Sequence, residues 1–231
     1  MSAPSHLRRS LEAGAILAAA LLVAVLLPSP GGATPPVAPS GDVPQLDAPI
    51  PSRLEIRVNI PAYRLEAIVD GEVVARFPVT VGAPHEPTPD GRYVIDRVAW
   101  NPWWHPPSHR RPKDRVTPPG PRNPMGRVKL HFAADLYFVH GTALTGELGR
   151  PVSRGCIRLR NEDAIALAAL VHEHAGPALP DRELQRLVGN AKATRHLVLD
   201  RPVSLRIVYE LLEIGQGELE LHEDIYRRLP S

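Results

Sequence analysis

Apolar and polar residues alternate along residues 54–79, and this pattern limits the fold of the chain more than any other property of its sequence. In residues 54–60 every second side chain is apolar, and the pattern continues in residues 63–69 and 73–79. A period of two places successive side chains on opposite faces of a β-strand, so each segment predicts a half-buried strand. Asp70-Gly71 lies between the second and third segments and is typical of a two-residue hairpin turn. The sequence therefore predicts a β-meander.

The remainder of the chain predicts more strands and two short helices. Asn161 is placed to cap a helix that carries Ile165, Ala168, Ala169 and His172 on one face. A second short helix is predicted from Asp181, with Leu184, Leu187 and Val188 directed inward. Residues 101–124 predict a loop because proline lacks a backbone donor. Further strands are predicted at 92–98, 128–132, 136–139, 203–209 and 218–225. The predicted fold class is mainly β with short helices.

The N-terminus has the features of an export signal. Arg8 and Arg9 precede an apolar run over residues 13–27, and small residues lead to a cleavage site after Ala33. The sequence predicts a signal peptide or N-terminal membrane anchor at 1–33, a Pro-rich linker at 34–53 and one domain at 54–231. Either form of the N-terminus predicts export to the periplasm or cell envelope, and the anchor form would tether the chain to a membrane.

Net charge and cysteine content narrow the classes of function. The formal net charge of +2 gives no reason to expect a nucleic-acid partner. Cys156 is the sole cysteine, so the chain has no intramolecular disulfide. A lone thiol in an oxidising compartment is either buried as a small apolar group or used chemically. Composition alone leaves both interpretations open.

The local sequence around the cysteine predicts a nucleophile. A thiol is activated when an imidazole can accept its proton, and His140 ends an apolar run sixteen residues before Cys156. Gly155, next to the cysteine, permits close backbone approach, and backbone N–H groups at such a turn can stabilise an oxyanion. The alternative is that a cysteine and a histidine simply pack on neighbouring strands. Spacing alone does not decide between the two.

The motif resembles the signature of the L,D-transpeptidase (YkuD-type) family. That signature is His-Gly, a loop, then Ser/Thr-His-Gly-Cys, an apolar residue and Asn or Arg. Here it stands as His140-Gly141, followed by Ser153-Arg154-Gly155-Cys156-Ile157-Arg158. Residues 101–107, 123–129, 203–209 and 224–226 resemble other segments of the family. The similarity covers residues 54–228 and implies a YkuD-like β-sandwich catalytic domain.

The resemblance implies a role for each residue that matches the motif. Cys156 would attack a peptide carbonyl to form a thioester, with His140 as general base and then as acid. The backbone N–H groups of Gly155 and Cys156 would hold the oxyanion. Ser153 would orient the loop or hydrogen-bond the substrate, and Arg158 would contact the substrate or pin the loop. The resemblance implies no cofactor.

The family's substrates are the peptide stems of peptidoglycan. The resemblance implies a tetrapeptide donor, attack at the carbonyl of its third, diamino-acid residue and release of terminal D-Ala. An amine of another stem, giving a 3→3 cross-link, or of a wall-linked protein would then resolve the thioester. Two alternatives stay open. One is an L,D-carboxypeptidase or wall-link hydrolase on the same site, and the other is a non-catalytic wall-binding module.

Several residues near the motif need separate interpretation. The motif's middle histidine is replaced by Arg154, whose fixed charge could attract substrate carboxylates or lower the pKa of the thiol. Trp103 and Trp104 are candidates for substrate contact, with packing under the loop as the alternative. His105 and His109 lie among prolines, so helical spacing does not apply to them, and metal binding would need a third ligand in reach; no metal site is predicted.

Overall fold

The computed structural model describes residues 52–106, 115–134, 136–215 and 218–230. The described residues form twelve strands, two α-helices and one 3-10 helix at Thr145–Glu147. The strands are β1 Leu54–Asn59, β2 Arg64–Val69, β3 Glu72–Pro78, β4 Val81–Gly82, β5 Gly91–Trp100, β6 Val128–Phe132, β7 Tyr137–Thr142, β8 Pro151–Ser153, β9 Ile157–Arg160, β10 Arg195–Val208, β11 Leu212–Gly215 and β12 Glu218–Leu221. The α-helices are α1 Asn161–Ala175 and α2 Asp181–Gly189.

Eight of the strands form one mixed sheet in the order β3-β2-β1-β10-β5-β6-β7-β9. Strand β10 lies in its middle, parallel to β1 and antiparallel to β5. Strands β7 and β9 are parallel, and the connection between them contains the 3-10 helix and β8. The fold class predicted from the sequence, mainly β with short helices, is confirmed.

The two edges of the eight-stranded sheet meet, so the sheet closes on itself. Thr80 follows edge strand β3, and its N–H donates to the carbonyl oxygen of Arg158 on the other edge strand at 2.9 Å. The N–H of Arg158 returns a hydrogen bond to Thr80 at 3.0 Å. Immediately afterwards β4 pairs in parallel with β8. This closure brings the turn before β9 against the segment that follows β3.

The core lies inside the curved sheet and is completed by α1. One face of β1 is fully buried, as the period of two requires. Helix α1 packs its apolar stripe against β6, β7, β9 and β10. The indole N–H of Trp100 donates to Nε2 of His172 at 3.0 Å, which pairs two polar groups that lie inside the core. Removal of apolar surface from water thus holds helix and sheet together.

The predicted inward faces of the helices are partly wrong. In α1, Ala168 and His172 are buried as predicted, but Leu167 and Val171 are buried as well and belong to the packed stripe. In α2, Leu187 is fully buried, whereas Val188 was predicted inward and is 38% exposed. A helix of nine residues touches the core through one side only, so neighbouring positions turn to solvent.

Three predicted strand limits are also corrected. The strand predicted at 136–139 is β7, which continues to Thr142 because β9 pairs with it up to that residue. Strand β10 begins at Arg195 rather than Val203, and a register shift between Val198 and Val203 accommodates its irregular part. The last predicted strand ends at Leu221, where its pairing with β11 stops.

The predicted signal peptide and nearly all of the predicted linker fall outside the described residues. Within the described part of the chain, no helix combines the length and apolar character that crossing a membrane requires.

Candidate active site

Pairing of β7 with β9 brings the predicted nucleophile close to the predicted base. Val139 is paired with Ile157, and His140 with Arg158. Val139 and Ile157 are fully buried in the core, so His140 and Arg158 lie on the opposite face of the sheet. Cys156 directly precedes β9. Ordinary strand spacing and rise place its Cα roughly 8 Å from that of His140, a distance that their side chains can bridge.

His140 is a buried, neutral imidazole with a defined tautomer. Its side chain is 2% exposed, and Nδ1 lies 2.8 Å from the carbonyl oxygen of Gly141. A carbonyl only accepts, so Nδ1 carries the hydrogen and Nε2 keeps its lone pair. Burial lowers the pKa of His140 to about 4, and Arg158 and Lys129 lower it further, against the opposing effect of backbone hydrogen bonds to Gly141 and Met125. The ring is therefore a proton acceptor at neutral pH.

Ser153 organises the turn that carries the cysteine. Its buried hydroxyl donates to the carbonyl oxygen of Cys156 at 2.6 Å and accepts from the N–H of Gly155 at 3.2 Å. These two hydrogen bonds hold the turn before β9, and both roles predicted for Ser153 stay predictions. The N–H of Gly155 was predicted to hold an oxyanion, and it could do so only by sharing or leaving this bond. Cys156 itself is partly exposed.

Gly155 occupies a position where no other residue fits without strain. Its φ is +94°, a conformation that L side chains rarely adopt. A Cβ built on it would lie 2.5 Å from Cε1 of Tyr137. The glycine next to the cysteine is therefore required by both backbone conformation and packing.

Thr88 and Tyr226 support this turn from distant parts of the chain. The buried hydroxyl of Thr88 donates to the carbonyl oxygen of Gly155 at 3.0 Å and accepts from the N–H of Gly82 at 2.8 Å. The hydroxyl of Tyr226 donates to the carbonyl oxygen of Gly82 at 2.8 Å and accepts from the N–H of Thr88 at 3.1 Å. Neither residue was predicted to belong to the site, although Tyr226 lies in one of the segments on which the resemblance rests.

The segment that carries Tyr226 is itself fixed by polar contacts. Tyr209 donates to Asp224 at 2.6 Å and accepts from the backbone N–H of Tyr226 at 2.7 Å. Burial raises the pKa of Tyr209 to about 12, with Asp224 adding to the effect. The guanidinium of Arg228 lies 4.2 Å from the Tyr209 ring centroid and pairs with Asp90 at 2.8 Å. Residues after the last strand thus belong to the support of the site.

Asn161 does not cap α1, contrary to the prediction. The helix begins at Asn161 itself and has no side-chain cap. The Asn161 side chain instead accepts from the N–H of Arg127 at 2.9 Å. A Cβ added at Gly126 or Gly141 would overlap its Oδ1. This tertiary contact outweighs local capping and fixes the backbone beside His140.

Arg158 and Arg154 both form ion pairs. Nη1 of Arg158 lies 2.6 Å from Glu147 in the 3-10 helix, and Thr80 donates to the Glu147 carbonyl at 2.7 Å. Arg158 therefore pins the loop between β7 and β8. The Arg154 side chain is 47% exposed, and its Nε lies 3.4 Å from Glu86. Its charge is thus partly balanced by Glu86.

The predicted aromatic candidates lie in the long loop between β5 and β6. Trp103 is 47% exposed, whereas Trp104 is half-buried and exchanges two backbone hydrogen bonds of 2.9 Å with Thr117. The Asn123 side chain donates to the carbonyl of Pro102 at 2.8 Å, which closes the base of the loop. His109, weighed above as a metal ligand, lies outside the described residues.

One cluster of potential metal ligands occurs among the described residues, away from the motif. Glu213, Glu220 and His222 offer ligand atoms within 4.8 Å of one another. Both oxygens of Glu213 are already paired, with Arg57 at 2.7 Å and with Arg64 at 2.6 Å. The cluster is accounted for as part of an ion network between the β11–β12 hairpin and the outer face of β1 and β2.

Comparison with known proteins identifies one family. Residues 53–190 match the model of the L,D-transpeptidase catalytic domain, YkuD. The probable L,D-transpeptidase ErfK/SrfK of Escherichia coli is 31% identical over 79% of this chain and 54% of its own length. The putative L,D-transpeptidase YkuD of Bacillus subtilis is 30% identical over 56% of this chain and 67% of its own. The chain thus spans about half the length of the E. coli relative.

Solved structures of the same family are also similar. An L,D-transpeptidase from Mycobacterium smegmatis has a TM-score of 0.43 and 17% identity over 68% of this chain and 59% of its own. L,D-transpeptidase 3 from Mycobacterium tuberculosis has a TM-score of 0.43 and 15% identity over 68% of this chain and 61% of its own. The family-model match ends at residue 190, before β10 and before Tyr226.

Proposed function

Because the chain belongs to the L,D-transpeptidase family with a YkuD-type catalytic domain, we propose that it is a peptidoglycan L,D-transpeptidase with Cys156 as its nucleophile. The observation that carries the proposal is the neutral His140 ring, whose Nδ1–H is directed to the Gly141 carbonyl. This tautomer leaves Nε2 free of hydrogen on the strand next to the cysteine.

The first half-reaction forms a thioester. Nε2 of His140 accepts the thiol proton as the sulfur of Cys156 attacks the carbonyl carbon of the diamino-acid residue, the third of the stem. The C–N bond to the terminal D-Ala then breaks, and the imidazolium returns its proton to the departing amine. Because the pKa of His140 is about 4, proton transfer accompanies attack instead of producing a stable thiolate–imidazolium pair.

The second half-reaction transfers the acyl group. An amine attacks the thioester carbonyl and gives a proton to His140. The C–S bond then breaks, and His140 returns that proton to the sulfur, which leaves as the thiol. The amine comes from a second stem, giving a 3→3 cross-link, or from a wall-linked protein. The negative charge on the carbonyl oxygen would be held by the backbone at Gly155 and Cys156. The motif glycine and its support by Thr88 favour a fixed turn at that point.

Domain organisation and location are proposed with the activity. The N-terminal 33 residues would direct export or anchor the chain, and residues 34–53 would link them to a catalytic domain at 54–231. The enzyme would then act in the periplasm or cell envelope, where the stem peptides are found. No cofactor is needed for this chemistry, because thiol, imidazole and backbone supply the nucleophile, base and oxyanion donors.

Product analysis with purified protein and synthetic stems tests the proposal. A cross-linked dimer that forms from tetrapeptide stems, with loss of D-Ala, supports acyl transfer. A trimmed tripeptide as sole product would assign the site to an L,D-carboxypeptidase instead, with water resolving the thioester. If Cys156→Ala keeps full biological function in cells, the protein is a wall-binding module and the enzyme proposal is wrong.

A further inference from the structure

Lys129 lies beside His140 on the face of the sheet that carries the candidate active site. The two residues are paired between β6 and β7, and His140 is paired in turn with Arg158 on β9. Their chain neighbours Leu130 and Val139 are buried in the core, so Lys129 and His140 both lie on the opposite face. The sheet thus places a cation on each side of the imidazole. The chemistry proposed above does not use Lys129.

The ammonium group of Lys129 extends from the level of His140 toward the level of the cysteine. The side chain is half-buried, and Nζ lies 4.5 Å from the centroid of the Phe138 ring. A cation at this distance from an aromatic ring is held there by the charge distribution of the ring. Phe138 is level with Cys156, because each directly precedes the paired residues of β7 and β9 that follow them.

The proposed chemistry sets the direction in which the last residue of the donor stem extends. His140 gives a proton to the departing amine of D-Ala, so that nitrogen lies within about 3 Å of the imidazole. The sulfur of Cys156 attacks from the β9 side, and D-Ala therefore extends over β7 toward β6. One residue spans about 3.3–3.6 Å, which brings its carboxylate to about one strand spacing, 4.8 Å, beyond the ring. Lys129 lies on the strand at that distance.

The charges around the imidazole favour an anion at this place. Arg158 and Lys129 both lower the pKa of His140, so both add positive potential at the ring. The guanidinium of Arg158 is directed to Glu147 at 2.6 Å, toward the 3-10 helix. A tetrapeptide stem ends in the free α-carboxylate of D-Ala. An ammonium group and a carboxylate form a charge-assisted hydrogen bond, which is stronger than one between neutral groups.

We propose that the ammonium group of Lys129 binds the α-carboxylate of the terminal D-Ala and so selects donor stems that end at their fourth residue. The inference rests on the proposed transpeptidase function and assigns a specificity-determining residue to it. In a stem with a fifth residue, a neutral amide would lie at Lys129, and the carboxylate would lie about 3.3–3.6 Å further on.

Two donor stems that differ only at the C-terminus test the proposal. One tetrapeptide ends in D-Ala and the other in D-alaninamide, and kcat/KM is measured from release of the terminal residue. Wild-type enzyme is expected to prefer the free carboxylate about tenfold. Lys129→Met keeps the length of the side chain without its charge, and it is expected to abolish the preference by lowering kcat/KM for the D-Ala donor alone.

Two further variants serve as controls. Lys129→Arg keeps the positive charge and is expected to retain most of the preference. Lys192→Met, in the exposed turn after α2, removes a lysine charge elsewhere and leaves the preference unchanged. Equal losses for both donors in Lys129→Met overturn the proposal, because a change in the fold or in His140 affects both donors alike. Equal kcat/KM for the two donors in wild-type enzyme also overturns it, and that measurement needs no variant.

Binding measurements separate this inference from the proposed function. The equilibrium affinity of Cys156→Ala for the two stems reports on recognition of the carboxylate without any chemistry. Cross-linking by wild-type enzyme with equal affinity for the two stems overturns the role of Lys129 alone. A preference for the D-Ala stem that disappears in the double variant Cys156→Ala, Lys129→Met supports the role of Lys129. The same preference without acylation of wild-type protein contradicts the proposed function alone.

Discussion

His140 and Arg158 are paired across the parallel strands β7 and β9, so a permanent positive charge lies beside an imidazole that is already buried. Burial and charge act in the same direction, because both disfavour the protonated ring. The consequences concern both the pH range in which the site works and the residues that hold it together.

The first prediction is that the acid limb of the pH–rate profile for acylation, where the rate falls as the pH is lowered, lies at an unusually low pH. His140 with a pKa of about 4 is neutral, and therefore able to accept a proton, at every pH above that value. The acylation rate should fall only as the pH approaches about 4 to 5, whereas a solvent-exposed histidine would lose activity near 6.5. Stopped-flow acylation by a carbapenem measures the profile. Arg158→Met should move the limb to higher pH, and a wild-type limb near 6.5 would contradict the assignment.

A second prediction concerns Gly155. Gly155→Ala places a Cβ against Tyr137 in a backbone conformation that alanine rarely adopts. We expect unfolding free energy to fall by about 1–3 kcal/mol and acylation to slow by about tenfold to a hundredfold as the turn shifts. Chemical denaturation and intact-mass kinetics report these effects. Gly146→Ala, where no atom lies within 4 Å of the added Cβ, should leave both unchanged.

Thr88 provides a third test, because its hydroxyl serves two buried backbone groups. Thr88→Val leaves the Gly155 carbonyl and the Gly82 N–H without this partner and should cost about 2–4 kcal/mol of stability. Thr88→Ser keeps the hydroxyl and should recover most of the stability and of the acylation rate. Thermal melts of both variants make the comparison. Equal losses of stability in Thr88→Val and Thr88→Ser would mean that the methyl group, not the hydroxyl, supports the turn.

The fourth prediction concerns the departure from the family motif at Arg154. The side chain is about half exposed and pairs with Glu86. An ion pair of this kind contributes under about 1 kcal/mol. Arg154→His, which restores the motif residue, should therefore change the carbapenem acylation rate by no more than about fivefold. A larger fall in the acylation rate, measured under the same conditions, would show that the guanidinium takes part in activating the thiol.

Local sequence was sufficient for the parts of the fold governed by periodicity and turn chemistry. The alternation in β1 and β2 was predicted, and so was the Asp70-Gly71 turn, where both residues have positive φ. The N-terminal half of β10 was missed. Residues 199–202 interrupt its alternation, and the part before them is held by pairing of residues 195–198 with β5. Such tertiary pairing has no local signature.

The candidate site likewise contains residues that the local sequence identified and residues that only tertiary contacts place there. Cys156 and His140 were selected because they lie in a recognisable motif, and their catalytic roles stay predictions. Thr88 and Tyr226 were not predicted to belong to the site, because their partners there lie 67 and 144 residues away in sequence. Asn161 was assigned to a cap because of its place before a helical pattern, yet its partner is the backbone of Arg127. Residues that support a site are set by contacts that only the folded chain reveals.

The central claim, that the Cys156 thiol is a nucleophile served by His140, is tested most directly by intact-mass spectrometry after incubation with a carbapenem. We predict a single adduct on the wild-type protein, no adduct on Cys156→Ser within the same time, and strongly slowed adduct formation on His140→Gln. A wild-type protein that is folded yet gains no mass, or a Cys156→Ser variant that gains the same mass, would contradict the account.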